Sequence, residues 1–206
     1  MYELPTDSRD YHLITKGIEL SKNAEGLCCE IGVRRGGGIK YIIDAVSYFS
    51  PLKTVLGIDP YGNIPYEHKE GDFVRLDYTE DMKAKAMSNI YGYSGLKKIP
   101  FIFKNMTDEE FFKYFKDGVP VHNQESKVIN KYSFVHFDGP HAIQPLIDEI
   151  DFFKTRVEPG ACFVFDDIGE DGDVYYDHAV IENYLFENGF KLIEKTVKKA
   201  LYQYED

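Results

Sequence analysis

Tryptophan is absent from this 206-residue chain, and cysteine is scarce. The three cysteines are Cys28, Cys29 and Cys162, and no two are spaced as a CxxC pair. A zinc ribbon and a thioredoxin-type site therefore have no basis. An odd number of thiols, all inside apolar runs, fits a reducing compartment better than a disulfide framework, so a cytoplasmic protein is expected. Basic residues are also in short supply: 24 Lys and Arg face 35 Asp and Glu, for a formal charge of −11. Nonspecific attachment to nucleic acid or to an anionic membrane needs the opposite balance. No apolar run approaches the ~18–20 residues of a membrane span. Residues 1–10 are polar and acidic, unlike a signal peptide. Internal repeats and low-complexity tracts are missing as well. What is present is 43% hydrophobic residues, with sixteen Tyr and fifteen Phe, enough for a packed core.

Short apolar runs rich in β-branched and aromatic residues alternate with segments of helical period. A first helix is predicted over Thr6 to Lys22, with Thr6 as N-cap and a stripe of Leu13, Ile14, Gly17 and Ile18. Strands are predicted at 27–33, 54–58, 100–103, 132–137 and 161–165. Helices between them include 39–49, 79–93, a short one capped by Thr107, one carrying Ile143, Leu146, Ile147, Ile150 and Phe153, and one over roughly 174–188. Runs 190–197 and 200–204 are joined by too short a link for a parallel crossover, so they are predicted to pair antiparallel. The expected fold is α/β: one Rossmann-like, doubly wound domain over residues 1–206, with a seven-stranded, mostly parallel sheet and a C-terminal antiparallel hairpin. Residues 1–25 read as an N-terminal helical extension. Residues 61–78 and 118–131 read as lid-like insertions without regular structure.

Glu30-Ile-Gly32-Val-Arg-Arg-Gly36-Gly37-Gly38 joins the first strand to the next helix. Glycines there let a ligand approach the backbone, and the helix N-terminus offers unpaired N–H groups. Arg34 stands where the dinucleotide fingerprint needs glycine, and Gly38-Ile39 stands where a phosphate loop needs Lys followed by Ser or Thr. A plain tight turn satisfies the same glycines. Asp59 ends the second strand, at the crevice where doubly wound sheets bind ligands, and can accept two ribose hydroxyls; it also suits a simple Asp-Pro turn. Strand four ends at Asp138, followed by His141, and strand five ends at Asp166-Asp167. All four fall on the ligand edge of a parallel sheet. Crowded carboxylates repel unless a cation sits among them, and an all-oxygen set suits Mg²⁺ or another divalent cation such as Mn²⁺ or Ca²⁺. Each residue taken singly is equally well a helix cap or a surface group. His136, inside strand four, reads as a core residue, and the Lys191, Lys195, Lys198 and Lys199 group reads as a solvated face.

The acidic-x-Gly-x-x-x-Gly-Gly run, Asp59 and the terminal hairpin together resemble the class I S-adenosylmethionine-dependent methyltransferases. The run from Glu30 to Gly38 is similar in particular to the macrocin O-methyltransferase-like group. The Asp138-x-x-His141 and Asp166-Asp167 pairs are similar to the metal-dependent catechol and macrocin types. That resemblance covers roughly residues 25–205. It implies an O-methyltransferase using S-adenosylmethionine and Mg²⁺ on a small hydroxylated acceptor, a sugar or a secondary metabolite. It implies cofactor contacts from Glu30, Gly32, Gly36, Gly37, Asp59, Met106 and Asp138, metal ligation by Asp138, Asp166 and Asp167, and His141 as general base. Competing expectations are a nucleotide-sugar or NAD-linked enzyme, which Arg34 disfavours, and a noncatalytic cofactor-binding module. A homodimer is compatible with the N-terminal helix and the Phe/Tyr surplus.

Overall fold

The computed structural model describes residues 2–6, 8–62, 78–123, 125–140, 142–168 and 176–205. The elements run α1 (His12–Leu20), β1 (Leu27–Ile31), α2 (Gly37–Phe49), β2 (Val55–Ile58), α3 (Glu80–Lys97), β3 (Phe101–Lys104), α4 (Asp108–Tyr114), β4 (Val119–Asn123), β5 (Glu125–Ile129), β6 (Tyr132–Phe137), α5 (Ile143–Lys154), β7 (Cys162–Phe165), α6 (His178–Glu187), β8 (Phe190–Lys195) and β9 (Ala200–Tyr204). Seven strands form one sheet in the order β3-β2-β1-β6-β7-β9-β8. The five strands from β3 to β7 pair parallel, and β9 pairs antiparallel with both β7 and β8. Winding proceeds outward from β1 to β2 and β3, then restarts on the other side at β6. The direction therefore switches between β1 and β6, where such sheets open a crevice at the strand ends.

The period-2 alternation of the strands divides the core in two. Cys28, Val55, Phe134, Cys162 and Val164 face Ile14 and Ile18 of α1, Ile39, Ile42 and Val46 of α2, and Ile90 of α3. Cys29, Ile31, Leu56, Val135, Phe137, Phe163 and Phe165 face Phe111 of α4, Ile150 and Phe153 of α5, and Ile181 and Leu185 of α6. Phe137 and Phe165 stack in parallel at 4.4 Å between centroids, one strand apart. All three cysteines are free and buried, and burial pushes the Cys162 thiol up to about 12.

The Rossmann-like seven-stranded sheet agrees with the sequence; several boundaries do not. α1 begins at His12, after Tyr11 rather than at a Thr6 cap, and residues 2–6 carry no regular structure. Leu4 there is buried, and a Cβ on Gly37 would come within 2.7 Å of the Pro5 carbonyl oxygen. β1 stops at Ile31 because Gly32 turns to φ +85°. Residues 119–129, expected as irregular, hold the β4–β5 hairpin: Val119 and Val121 join the Phe111 core cluster. Of the other lid-like segment, 63–77 lie outside the described residues. Thr79 and Thr107 cap α3 and α4 with their side chains, and Thr107 forms a reciprocal capping box with Glu110.

Candidate active site

β1 ends in a turn that must fold back tightly under the end of β6. Gly32 occupies the crossing: a Cβ there would fall 1.9 Å from the Asp138 carbonyl oxygen. Its N–H donates to Ile58 O at 3.0 Å, and Asp138 N–H donates to Ile31 O at 3.0 Å, so the ends of β2, β1 and β6 are tied together. Gly36, at φ +85°, is the N-cap of α2. Side chains on Gly36 and Gly37 would meet Ile90, Leu4 and Pro5, so these glycines serve the chain's own packing against the N-terminal segment.

Asp59, directly after β2, is 1% exposed. Its Oδ2 accepts the Arg34 backbone N–H at 2.8 Å, while Oδ1 is buried with no partner among the described residues. Burial pushes this carboxyl up to about 7, against the lowering effect of the Arg34 and Val33 N–H groups. An acceptor oxygen left dry and unpartnered costs stability unless a ligand supplies a donor. Tyr61, also buried, donates its hydroxyl to the Arg34 carbonyl, which clamps the turn against the end of β2. Asn105 Nδ2 reaches Tyr61 O at 3.5 Å, and the neighbouring Met106 is half-buried against the α4–α6 side of the core.

Glu30 points beneath α2. Its Oε1 accepts a hydrogen bond of 2.7 Å from His136 Nδ1 of β6, and both side chains are buried. A Cβ on Gly38 would sit 1.8 Å from the same oxygen. A carboxylate only accepts, so His136 carries its proton on Nδ1. Burial first, and then the Lys199 charge, push His136 down to about 3, so the ring is neutral at pH 7. Donor atoms of Glu30, His136 and Asp138 lie within 4.8 Å of one another. Asp138 is pushed well above the usual carboxylate range, by burial first and then by the charge of Asp166.

The two carboxylates after β7 are already engaged. Asp166 is buried and ion-paired to Lys199, and Asp167, at φ +55°, is ion-paired to Lys198. Of the four lysines expected on a solvated face, Lys191 and Lys195 are exposed, but Lys198 is half-buried and the Lys199 side chain has no solvent exposure. A legible signal for this existed in the two dipeptides, Asp166-Asp167 ending one strand and Lys198-Lys199 beginning an antiparallel neighbour. A divalent metal at Asp138, Asp166 and Asp167 does not fit these side chains as arranged, because an ammonium group already holds an oxygen of each β7 aspartate. His141 lies outside the described residues. A cavity of about 510 Å³ opens nearby between Pro5, Arg35, Thr79, Lys85 and Asn89; neither Asp59 nor Asp138 lines it.

No family model matches the chain, and no curated protein matches it. Solved structures do. The calicheamicin methyltransferase CalS11 superposes with a TM-score of 0.67 at 12% identity, covering 96% of this chain and 79% of its own. The O-methyltransferase NovP gives 0.59 at 18% identity, covering 95% and 80%. The O-methyltransferase TomG from Streptomyces achromogenes, solved with S-adenosylmethionine and involved in tomaymycin synthesis, gives 0.62 at 12% identity, covering 98% and 82%. At these identities the likeness is one of architecture, and the chain has the fold of the class I S-adenosylmethionine-dependent O-methyltransferases.

Proposed function

We propose that this protein transfers the methyl group of S-adenosylmethionine to a hydroxyl of a small acceptor, a sugar or a secondary metabolite, in the cytoplasm. The observation that carries the proposal is Asp59: a buried carboxylate with one oxygen unpartnered among the described residues, fixed by the Arg34 N–H beside the β1–α2 glycine turn. A ribose diol is the donor pair that such an oxygen lacks. The likeness of the fold to O-methyltransferases, one of them solved with S-adenosylmethionine, supports the same reading.

When bound, S-adenosylmethionine supplies an electrophilic methyl group. The chain's part is to hold it in line with the acceptor oxygen, where orientation supplies much of the rate. In this proposal Asp59 holds the ribose. The turn from Gly32 to Gly37, with Asp138 and the carboxylate of Glu30 behind it, shapes the methionine end, and Met106 lies beside the adenine. His141, three residues past Asp138, accepts the acceptor hydroxyl's proton; a histidine with a pKa near ~6.5 suits that task at neutral pH.

Calorimetry with S-adenosylhomocysteine and, in parallel, NAD tests the assignment. Saturable binding of the former, weakened at least about tenfold by Asp59→Ala, is expected. Binding of NAD alone would move the protein to the dehydrogenase reading. His141→Ala is expected to lower kcat by ~10²–10⁴ with cofactor binding intact. Tight cofactor binding with no turnover on any hydroxylated acceptor would favour a noncatalytic module.

A further inference from the structure

β7 and β9 run antiparallel with Phe165 opposite Ala200. Extending that register past the last rung sets Asp166 opposite Lys199 and Asp167 opposite Lys198. Both cross-strand ion pairs are made, and the Ile168 N–H donates to Lys198 O at 3.3 Å just beyond them. Opposite charges facing each other across a ladder attract, and here the inner pair is also dry. The Lys199 side chain has no exposure and that of Asp166 has 1%.

Lys199 is held on every side. Its Nζ donates to Asp166 Oδ2 and, at 3.0 Å, to Ser8 Oγ, and lies 4.7 Å from the centre of the Tyr11 ring. Ser8 Oγ in turn donates to Asp166 Oδ1 at 3.1 Å, and the Asp167 N–H donates to the same oxygen at 2.8 Å. Asp166 Oδ1 thus accepts two hydrogen bonds, and Oδ2 accepts one from the ammonium group. A divalent ion binds carboxylate oxygen at ~2.0–2.2 Å and cannot share that lone pair with an ammonium group. Charge points the same way: each of the two carboxylates after β7 already has its own ammonium partner.

We propose that Lys199 is the resident cation of the Asp138, Asp166 and Asp167 cluster, and that these aspartates form no divalent-metal site while Lys199 is in place. Residues 8 and 11 complete its cage, so the same lysine anchors the N-terminal segment to the sheet edge. The proposal concerns metal binding alone and stands apart from the methyl-transfer reading.

The test is a Mn²⁺ titration of the full chain, stripped with EDTA, followed by the paramagnetic signal of the free ion. Wild type is expected to show no saturable site below ~1 mM, outside the affinity range of a built carboxylate site other than weak extracellular modules. Lys199→Met removes the ammonium and should create one Mn²⁺ site at least about tenfold tighter. Adding Asp166→Asn should abolish that site. Lys199→Arg, which keeps the cation, should behave as wild type. A saturable wild-type site below ~1 mM, or a folded Lys199→Met variant with no gain, overturns the proposal. If Lys199→Met does not fold, the wild-type titration decides by itself: saturation overturns the proposal and its absence supports it.

Discussion

Gly32 and Asp138 meet backbone to backbone: the hydrogen that Gly32 carries in place of a side chain points at the Asp138 carbonyl oxygen, 1.9 Å from where a Cβ would lie. The contact sets how closely β1 and β6 converge at the switch point, and with it the floor of the crevice. Gly32→Ala meets two penalties, the left-handed φ of +85° and overlap with a carbonyl anchored by its own strand. Together these should cost about 3 kcal/mol or more. Gly160 separates the two terms, because it has φ +93° and nothing within 4 Å of its ideal Cβ. Gly160→Ala should cost only about 1 kcal/mol. Urea unfolding of both variants checks the difference; equal losses would show that the carbonyl contact contributes nothing.

Asp59 links ligand binding to protons. With its carboxyl pushed up to about 7, the free protein carries close to half a proton there at pH 7. Two hydroxyl donors would favour the anion and expel that proton. Calorimetry of S-adenosylhomocysteine binding at pH 7, repeated in buffers of different ionisation enthalpy, should show release of up to about half a proton. Release should fade towards pH 9, where the carboxyl is already ionised, and vanish in Asp59→Asn. Proton uptake instead of release would exclude Asp59 as the acceptor for the ligand's hydroxyls.

Much of this fold was legible because the buried strands are short apolar runs with few alternatives, such as Phe163-Val-Phe165, and because Thr79 and Thr107 announce their helices. The losses have local causes. β4 and β5 carry Pro120, His122 and Lys127 among few apolar residues, and pack only Val119 and Val121 fully into the core, so their alternation is faint. Thr6 resembles an N-cap, yet the preceding Leu4 and Pro5 are committed to α2 and α3, which delays the helix to His12. At the site, Asp59 and the glycine turn were readable from position alone. For Lys199 the facing dipeptides signal the charge pairing alone; its burial was not readable, because it depends on the register between strands nearly forty residues apart and on Ser8 and Tyr11 from the far end of the chain.

Two buried histidines should make the protein acid-sensitive. Burial pushes His136 down to about 3 and His178 down to about 4. Unfolded histidine titrates near ~6.5, so below that pH the unfolded chain binds protons that the folded one refuses. The stability these residues contribute is complete above pH ~6.5 and is lost as pH falls through 6 and 5 towards the folded values. His178 donates or accepts at Nε2 with the Tyr202 hydroxyl at 2.8 Å, and Tyr202 keeps Glu182 as a second partner at 3.1 Å. His178→Phe is therefore a tolerable probe. It should flatten the fall in stability between pH 6.5 and 4 by up to about 3 kcal/mol, read from urea midpoints across that range. An unchanged pH profile would mean that His178 is already solvated in the native state.

Glu149 of α5 presents the opposite case. Its side chain is fully buried, neither oxygen accepts a hydrogen bond from a donor group among the described residues, and the carboxyl of Asp108 at the start of α4 lies beside it. Burial first, and the Asp108 charge second, push Glu149 well above the usual carboxylate range, and Asp108 is itself raised by burial. Two carboxyls can bond only by sharing a proton, so the contact between α4 and α5 holds while that proton stays. The sign follows from the raised value: below ~4.3 both states are protonated and the stability is intact, and it is lost as pH rises because the unfolded glutamate ionises first. Glu149→Gln replaces the labile proton with a permanent N–H donor of the same size. It should raise the melting temperature at pH 8, leave it nearly unchanged at pH 4, and so reduce the slope between them. A variant less stable than wild type at pH 8 would show that Glu149 is ionised in the folded chain and that its charge, rather than its proton, is what the interior accommodates.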